Sequence, residues 1–248
     1  MAEIESRTRL SSRPSVADQI KDYMLRKRLR PGELLPTESE LCEAVGASRS
    51  SVREAIKTLR ALDIIEVRHG HGSYVGHMSL NALVESLAFR GLLSRTDDHR
   101  VLSELVEVRQ TLTQGFARQI IETMTDERRA RLATLARSMQ SRAAEGDAFI
   151  EEDREFHLTL MEPLGNELVM QLTAAFWDVQ AIIAPTLEAT VADASHTADL
   201  HMSIVESTTS GDSDALRSAI AAHYTPVRNR IRALSDGESR THQLGSHA

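Results

Sequence analysis

Pro36-Thr37-Glu38-Ser39-Glu40-Leu41, then Ser48-Arg49-Ser50-Ser51-Val52-Arg53-Glu54-Ala55-Ile56, then His69-Gly70-His71-Gly72-Ser73-Tyr74-Val75, decide the fold of this 248-residue chain. Pro36 limits backward extension of a helix, and Thr37 with Glu40 has the spacing of a capping box, so a helix begins there. Leu41, Ala44 and Val45 give that helix an apolar side, and Gly46 can end it in a left-handed conformation. The turn is only Gly46-Ala47-Ser48. Ser48 is an N-cap for a second helix in which Val52, Ala55, Ile56, Leu59 and Leu62 recur at helical spacing and face inward. Arg49, Ser50, Arg53 and Lys57 stay outside. Residues 63–67 read as a strand, 68–72 as a glycine-rich turn and 73–75 as the returning strand.

Two helices joined by a short turn, followed by a hairpin, form a winged helix-turn-helix, and its second helix is shaped to lie in the major groove of double-stranded DNA. Arg49 and Arg53 suit a guanine edge or a phosphate, Ser48, Ser50 and Ser51 suit phosphate oxygens, and Lys57 extends the basic face. His69 or His71 at the hairpin tip suits the adjacent minor groove, where Gly70 and Gly72 permit close backbone approach. The competing reading is a helical hairpin that contacts protein. Cap, turn, basic face and wing in the right order favour DNA.

The stretch from Val16 to Val75, with P-G-E-L-L-P-T-E-S-E-L at 31–41 and S-R-S-S-V-R-E-A at 48–55, resembles the DNA-binding domain of the GntR family of bacterial transcription regulators. Ser39 stands where that family usually has an arginine, which puts operator preference or affinity in doubt.

The length allows two domains, expected at 10–77 and 78–235, with 236–248 as a disordered tail. Nine aromatic residues and few Gly and Pro, against abundant Ala, Leu, Glu and Arg, imply a mainly α protein. Residues 1–77 carry a charge balance of +2 and residues 78–248 one of −9, so the second half is not expected to lie along DNA. With Cys42 alone, neither a disulfide nor a cysteine metal site can form within one chain, which fits a reducing, cytoplasmic setting. No apolar run is long enough for a membrane span.

Beyond the connector at 76–80, helical periodicity predicts helices over 80–93, 98–122, 126–144, 147–162, 166–189, 194–209 and 212–234, with Thr125, Pro163, Pro185 and glycines at 146, 165 and 211 as breaks. Polar residues interrupt the apolar stripes. Arg109 fills a place between Leu105 and Leu112, in a face with Leu102 and Phe116. Asp153 and His157 share a side with Phe149, Phe156 and Leu160. His201 stands one turn from Ile204 and Val205, and His223 continues a stripe of Leu216, Ile220 and Val227. Singly, each is more often a hydrogen-bonded core residue than a ligand. Jointly they are costly to bury unless they share a partner such as a metal and an anion.

This second region resembles the FCD ligand-binding domain of the FadR-type GntR branch, through E-L-V-E-V-R-Q at 104–110, D-R-E-F-H at 153–157, G-N-E-L-V at 165–169, H-M-S-I-V at 201–205 and A-A-H at 221–223. The resemblance implies an antiparallel helical bundle in which Asp153, His157, His201 and His223 hold a divalent ion. It also implies a small carboxylate effector paired with Arg109. The ligand set favours zinc, nickel, manganese or iron over calcium. Pro226 interrupts the last helix beside His223. The expected function is a dimeric regulator, more often a repressor in this family, controlled by a carboxylate metabolite. A metal-dependent enzyme is the alternative, against which stands the lack of a separate general base. A further alternative is a helical domain that only dimerises.

Overall fold

The computed structural model describes residues 14–93, 99–183 and 191–234 and divides the chain into two compact units, Met1–Ala82 and Leu83–Ala248. The expected tail at 236–248 lies outside the described residues.

In the first unit, α1 (Val16–Lys27), α2 (Glu38–Val45) and α3 (Arg49–Ala61) pack around a core that includes Ile20, Leu41, Val52 and Leu59, closed by Ile65 and Val75 of the hairpin. Thr37 caps α2 in a reciprocal box with Glu40, and Gly46 ends it at φ 65°. Ser48 then caps α3 by accepting from the Ser51 N–H. No sequence expectation covered α1, although Ser15 and Asp18 form a second capping box at its start.

The hairpin pairs β1 (Ile65–Arg68) with β2 (Gly72–Val75) antiparallel, in the register Ile65 to Val75 and Arg68 to Gly72. The first strand is shifted from the expected 63–67, the second starts one residue early at Gly72, and the hairpin ends at Val75 as expected. Asp63 has φ 54° and so turns the chain out of α3 instead of starting a strand. Its carboxylate accepts from the Ser79 N–H at 3.0 Å. At Gly76 a Cβ would stand 2.1 Å from the Asp63 carbonyl oxygen, so only glycine lets the strand leave past that turn.

The second unit is an antiparallel helical bundle of α4 (Asn81–Leu93), α5 (Arg100–Gly115), α6 (Ala117–Thr123), α7 (Asp126–Glu145), α8 (Ile150–Met161), α9 (Glu167–Ile183), α10 (Val191–Ser210) and α11 (Ser213–His223). A last helical stretch spans 225–234. α7 packs on α8 and α10, α10 on α11, and α5 on both α9 and α11.

Four boundaries differ from the periodicity by three residues or more, the first being that α10, expected over 194–209, starts at Val191. The helix expected over 98–122 breaks after Gly115, where the Phe116 N–H reaches back only to Thr113. As a result Val106 and Thr113, with Leu102, Leu105 and Arg109, are the buried face, while Leu112 and Phe116 are only partly covered. α8 starts at Ile150, not 147, because Gly146 is left-handed and the Arg142 side chain holds the loop by donating to the Ala148 carbonyl at 2.7 Å. The expected helix over 212–234 pauses at Tyr224, whose N–H caps the Ala222 carbonyl that Pro226 cannot serve. The far end of the helix expected over 166–189 lies outside the described residues.

Candidate functional site

On the first unit, Ser48, Arg49, Ser50, Ser51, Arg53 and Lys57 are all exposed along one side of α3. His69, Gly70, His71 and Gly72 are exposed at the hairpin turn, with Gly70 at φ 76° and Gly72 at φ 101°. Three of the four cations on α3 lean on a neighbour: Arg53 on Glu38 at 3.2 Å, Lys57 on Glu54 at 2.8 Å, and Arg49 on the Ser39 hydroxyl at 3.4 Å. Such exposed pairs contribute about 0–1 kcal/mol, so phosphate can displace them. Arg68, which the sequence reading left out, lies beside the turn, paired with Glu66 at 2.9 Å and stacked 4.2 Å from the centre of the Tyr74 ring. Its place at the base of an exposed turn was the available signal.

In the second unit the four expected donors converge. Asp153 and His157 come from α8, His201 from α10 and His223 from the end of α11, and one ligand atom from each lies within 4.8 Å of all the others. His201 is fully buried, His157 and His223 nearly so, and the Asp153 side chain is 13% exposed.

The hydrogen-bond geometry tests whether a metal fits. His201 Nδ1 lies 2.8 Å from the Thr197 carbonyl, which can only accept, so Nδ1 carries a proton. In the neutral ring Nε2 then has only a lone pair, and it points at Asp153 Oδ1 from 2.7 Å. Two acceptors at that distance need a cation between them or a second proton on the ring. A backbone carbonyl that fixes the far nitrogen of the ring is the usual support for a metal-ligating histidine. His157 Nε2 and His223 Nε2 likewise face each other at 3.1 Å. His223 Nδ1 is buried with no hydrogen-bond partner. The donor set therefore fits a divalent ion through nitrogen and oxygen.

Burial pushes Asp153 upward, but the neighbouring His201 and His157 outweigh it and hold the carboxylate well below its usual range. Burial lowers His157 to about 4 against the opposing pull of Asp153. It also lowers His223, with His201 and His157 adding to the effect. Neutral rings of this kind are ready metal donors.

Arg109 sits next to this cluster on α5, 5% exposed. Its guanidinium donates to Gln180 Oε1 and stacks 4.2 Å from the centre of Trp177, with Tyr224 at 5.6 Å. Among the described residues it has no carboxylate partner. Trp177 and Gln180 were missed from the sequence, although they sit one turn apart on α9 and bring the chain's single tryptophan to the same side as a polar side chain. A cavity of about 330 Å³ opens beside Arg109, Asp153 and His223.

A winged helix-turn-helix followed by a helical bundle with a polar, ligand-ready centre defines a DNA-binding transcription regulator. Residues 13–75 match the bacterial regulatory proteins of the gntR family, and residues 104–225 match the FCD domain. The chain is 57% identical over 106 residues to NedR of Micromonospora viridifaciens, covering 43% of this chain and 77% of that one. It is 25% identical over 206 residues to the galactonate operon transcriptional repressor of Escherichia coli K12, covering 83% and 90%. The solved structure of Streptococcus agalactiae GntR superposes with a TM-score of 0.61 at 26% identity, covering 86% of this chain and 97% of that one. This chain belongs to the GntR family and carries an FCD domain.

Proposed function

We propose that this regulator is a repressor whose operator affinity is set by a small carboxylate bound in the FCD domain at a divalent metal and Arg109. The observation that carries the reading is the buried Arg109 guanidinium, which has no carboxylate partner among the described residues and stands beside four converging metal donors. A buried cation without a counter-charge is costly, and an incoming carboxylate removes that cost through paired hydrogen bonds. Asp153, His157, His201 and His223 would hold the ion, whose identity among zinc, nickel, manganese and iron stays open. When bound, it supplies Lewis-acid affinity for a carboxylate oxygen.

Arg109 binds and orients the acid, Trp177 and Gln180 hold Arg109 in place, and the burial of the cluster limits competition from water. At the DNA, Arg49 and Arg53 read base edges or phosphates, Ser48, Ser50, Ser51 and Lys57 grip the backbone, and His69 to Gly72 enter the minor groove. Helix-turn-helix modules read pseudo-palindromes as pairs, so a homodimer is the working unit. Release follows if the acid favours the DNA-incompetent state, since only differential affinity moves that equilibrium. No helix among the described residues is long and apolar enough to cross a membrane, in keeping with action in the cytoplasm on chromosomal DNA.

The test is operator affinity of the metal-loaded protein with and without a panel of organic and sugar acids. The expected result is a drop in affinity for one chemical class, and no change across the panel contradicts effector control. Turnover of any of these acids by the purified protein would instead support enzymatic chemistry.

A further inference from the structure

We infer that the cavity beside Arg109 takes a monocarboxylate with an apolar body of about aryl size and discriminates against polyhydroxylated acids. This rests on the effector-binding reading above and narrows its chemistry.

Four polar side chains of the cavity wall are already engaged. Arg230 pairs with Asp193 at 3.3 Å, Thr197 donates to the Asp193 carbonyl, and Asp153 is engaged by His201 and His157. Asp147 is exposed to solvent. Among the described residues, the hydrogen-bonding capacity still open is that of Arg109, the Gln180 amide nitrogen, the Trp177 indole N–H, the Tyr224 hydroxyl and His223 Nδ1, since Gln180 spends its oxygen on Arg109. Arg109 stacks on Trp177 and Tyr224, and Tyr224 packs on His223, so these groups gather at one polar end of the cavity.

Elsewhere the wall is apolar: Phe149, Ile150, Ala181, Ala194, Pro226 and Val227. A hydroxyl placed against that surface loses its water and gains no partner, at a cost of roughly tenfold or more in affinity. A methylene or aryl group there gains instead. At protein-like packing, a cavity of about 330 Å³ holds on the order of ten non-hydrogen atoms, more than a three-carbon acid supplies. Arg109 is the single unpaired cation among the described residues of the wall, so the carboxylate of the ligand belongs at that end.

The experiment is calorimetric titration of the full chain, its metal content measured, with 3-phenylpropionate, 3-phenylpropionamide and gluconate. The expected result is that 3-phenylpropionate binds at least about tenfold tighter than gluconate and that the amide gives no binding heat. Gluconate binding as tightly or more tightly overturns this inference and leaves effector control standing. Binding by neither acid overturns the inference, and with a silent operator panel it removes effector control too. Val227→Asn is expected to lower the ratio of the two affinities at least about threefold without changing metal content. An unchanged ratio contradicts the assignment of the apolar wall.

Discussion

His201 Nε2 lies 2.7 Å from Asp153 Oδ1 while its Nδ1 is committed to the Thr197 carbonyl. The pair faces itself lone pair to lone pair unless a cation or an added proton intervenes, and the metal centre proposed above meets that requirement by supplying the cation.

Removing a bound metal should lower stability. An ion present at about a hundred times its Kd contributes roughly 2.7 kcal/mol, so chelation should drop the melting temperature by several degrees and restored metal should recover it. Asp153→Asn should abolish that difference. Equal melting temperatures for wild type before and after verified metal removal would count against the centre.

Replacing Arg49 and Arg53 together with Ala should weaken operator binding by more than about tenfold and flatten its dependence on salt, since each lost phosphate contact lowers the slope by about 0.9. Both side chains are exposed, so folding should be unaffected. Fluorescence anisotropy across a salt series measures both quantities, and unchanged affinity together with unchanged slope would sink the recognition-helix assignment.

Gln180→Ala should leave metal content alone and weaken carboxylate binding by about tenfold, because Arg109 loses the acceptor that orients it. Calorimetry on metal-matched samples checks this. A parallel loss of metal would mean that Gln180 supports the fold of the cluster instead of the guanidinium.

How much of this was readable in the sequence depends on the range of each interaction. Thr37, Glu40, Gly46 and Ser48 act within a few residues of themselves, so their caps and turn were legible. Arg109 and the three histidines were legible because each interrupts an apolar stripe. Gln180 was not, since its role depends on a partner 71 residues away across two packed helices. The start of α8 was also hidden, because a side chain of the preceding helix sets it through the Ala148 carbonyl. Asp63 read as strand because its left-handed turn is fixed by its bond to Ser79 and its closeness to Gly76.

Gly76→Ala should destabilise the DNA-binding unit by about 1–3 kcal/mol, since the added methyl meets the Asp63 carbonyl. Urea denaturation should show it. A loss below about 0.5 kcal/mol would mean that the strand exit adjusts freely.

The capping box of α1 sets a pH window. Asp18 is held at about 2, below its ordinary 3.8, by the Lys21 ammonium and the Ser15 hydroxyl. A carboxylate depressed in the folded state stabilises it above the unfolded value, and that support fades as pH falls from about 3.8 towards 2. Asp18→Asn should remove this component of acid sensitivity in a circular-dichroism titration. An acid profile identical to wild type would show that the box carries none of it.

The most direct measurement is metal content of the purified full-length chain by elemental analysis, after equilibration with zinc, nickel, manganese and iron in turn, beside the His201→Ala variant. A metal centre at Asp153, His157, His201 and His223 predicts close to one ion per wild-type chain for at least one of these metals and a large loss in the variant. Wild type that takes up none of them, or a variant that retains its ion in full, would contradict it.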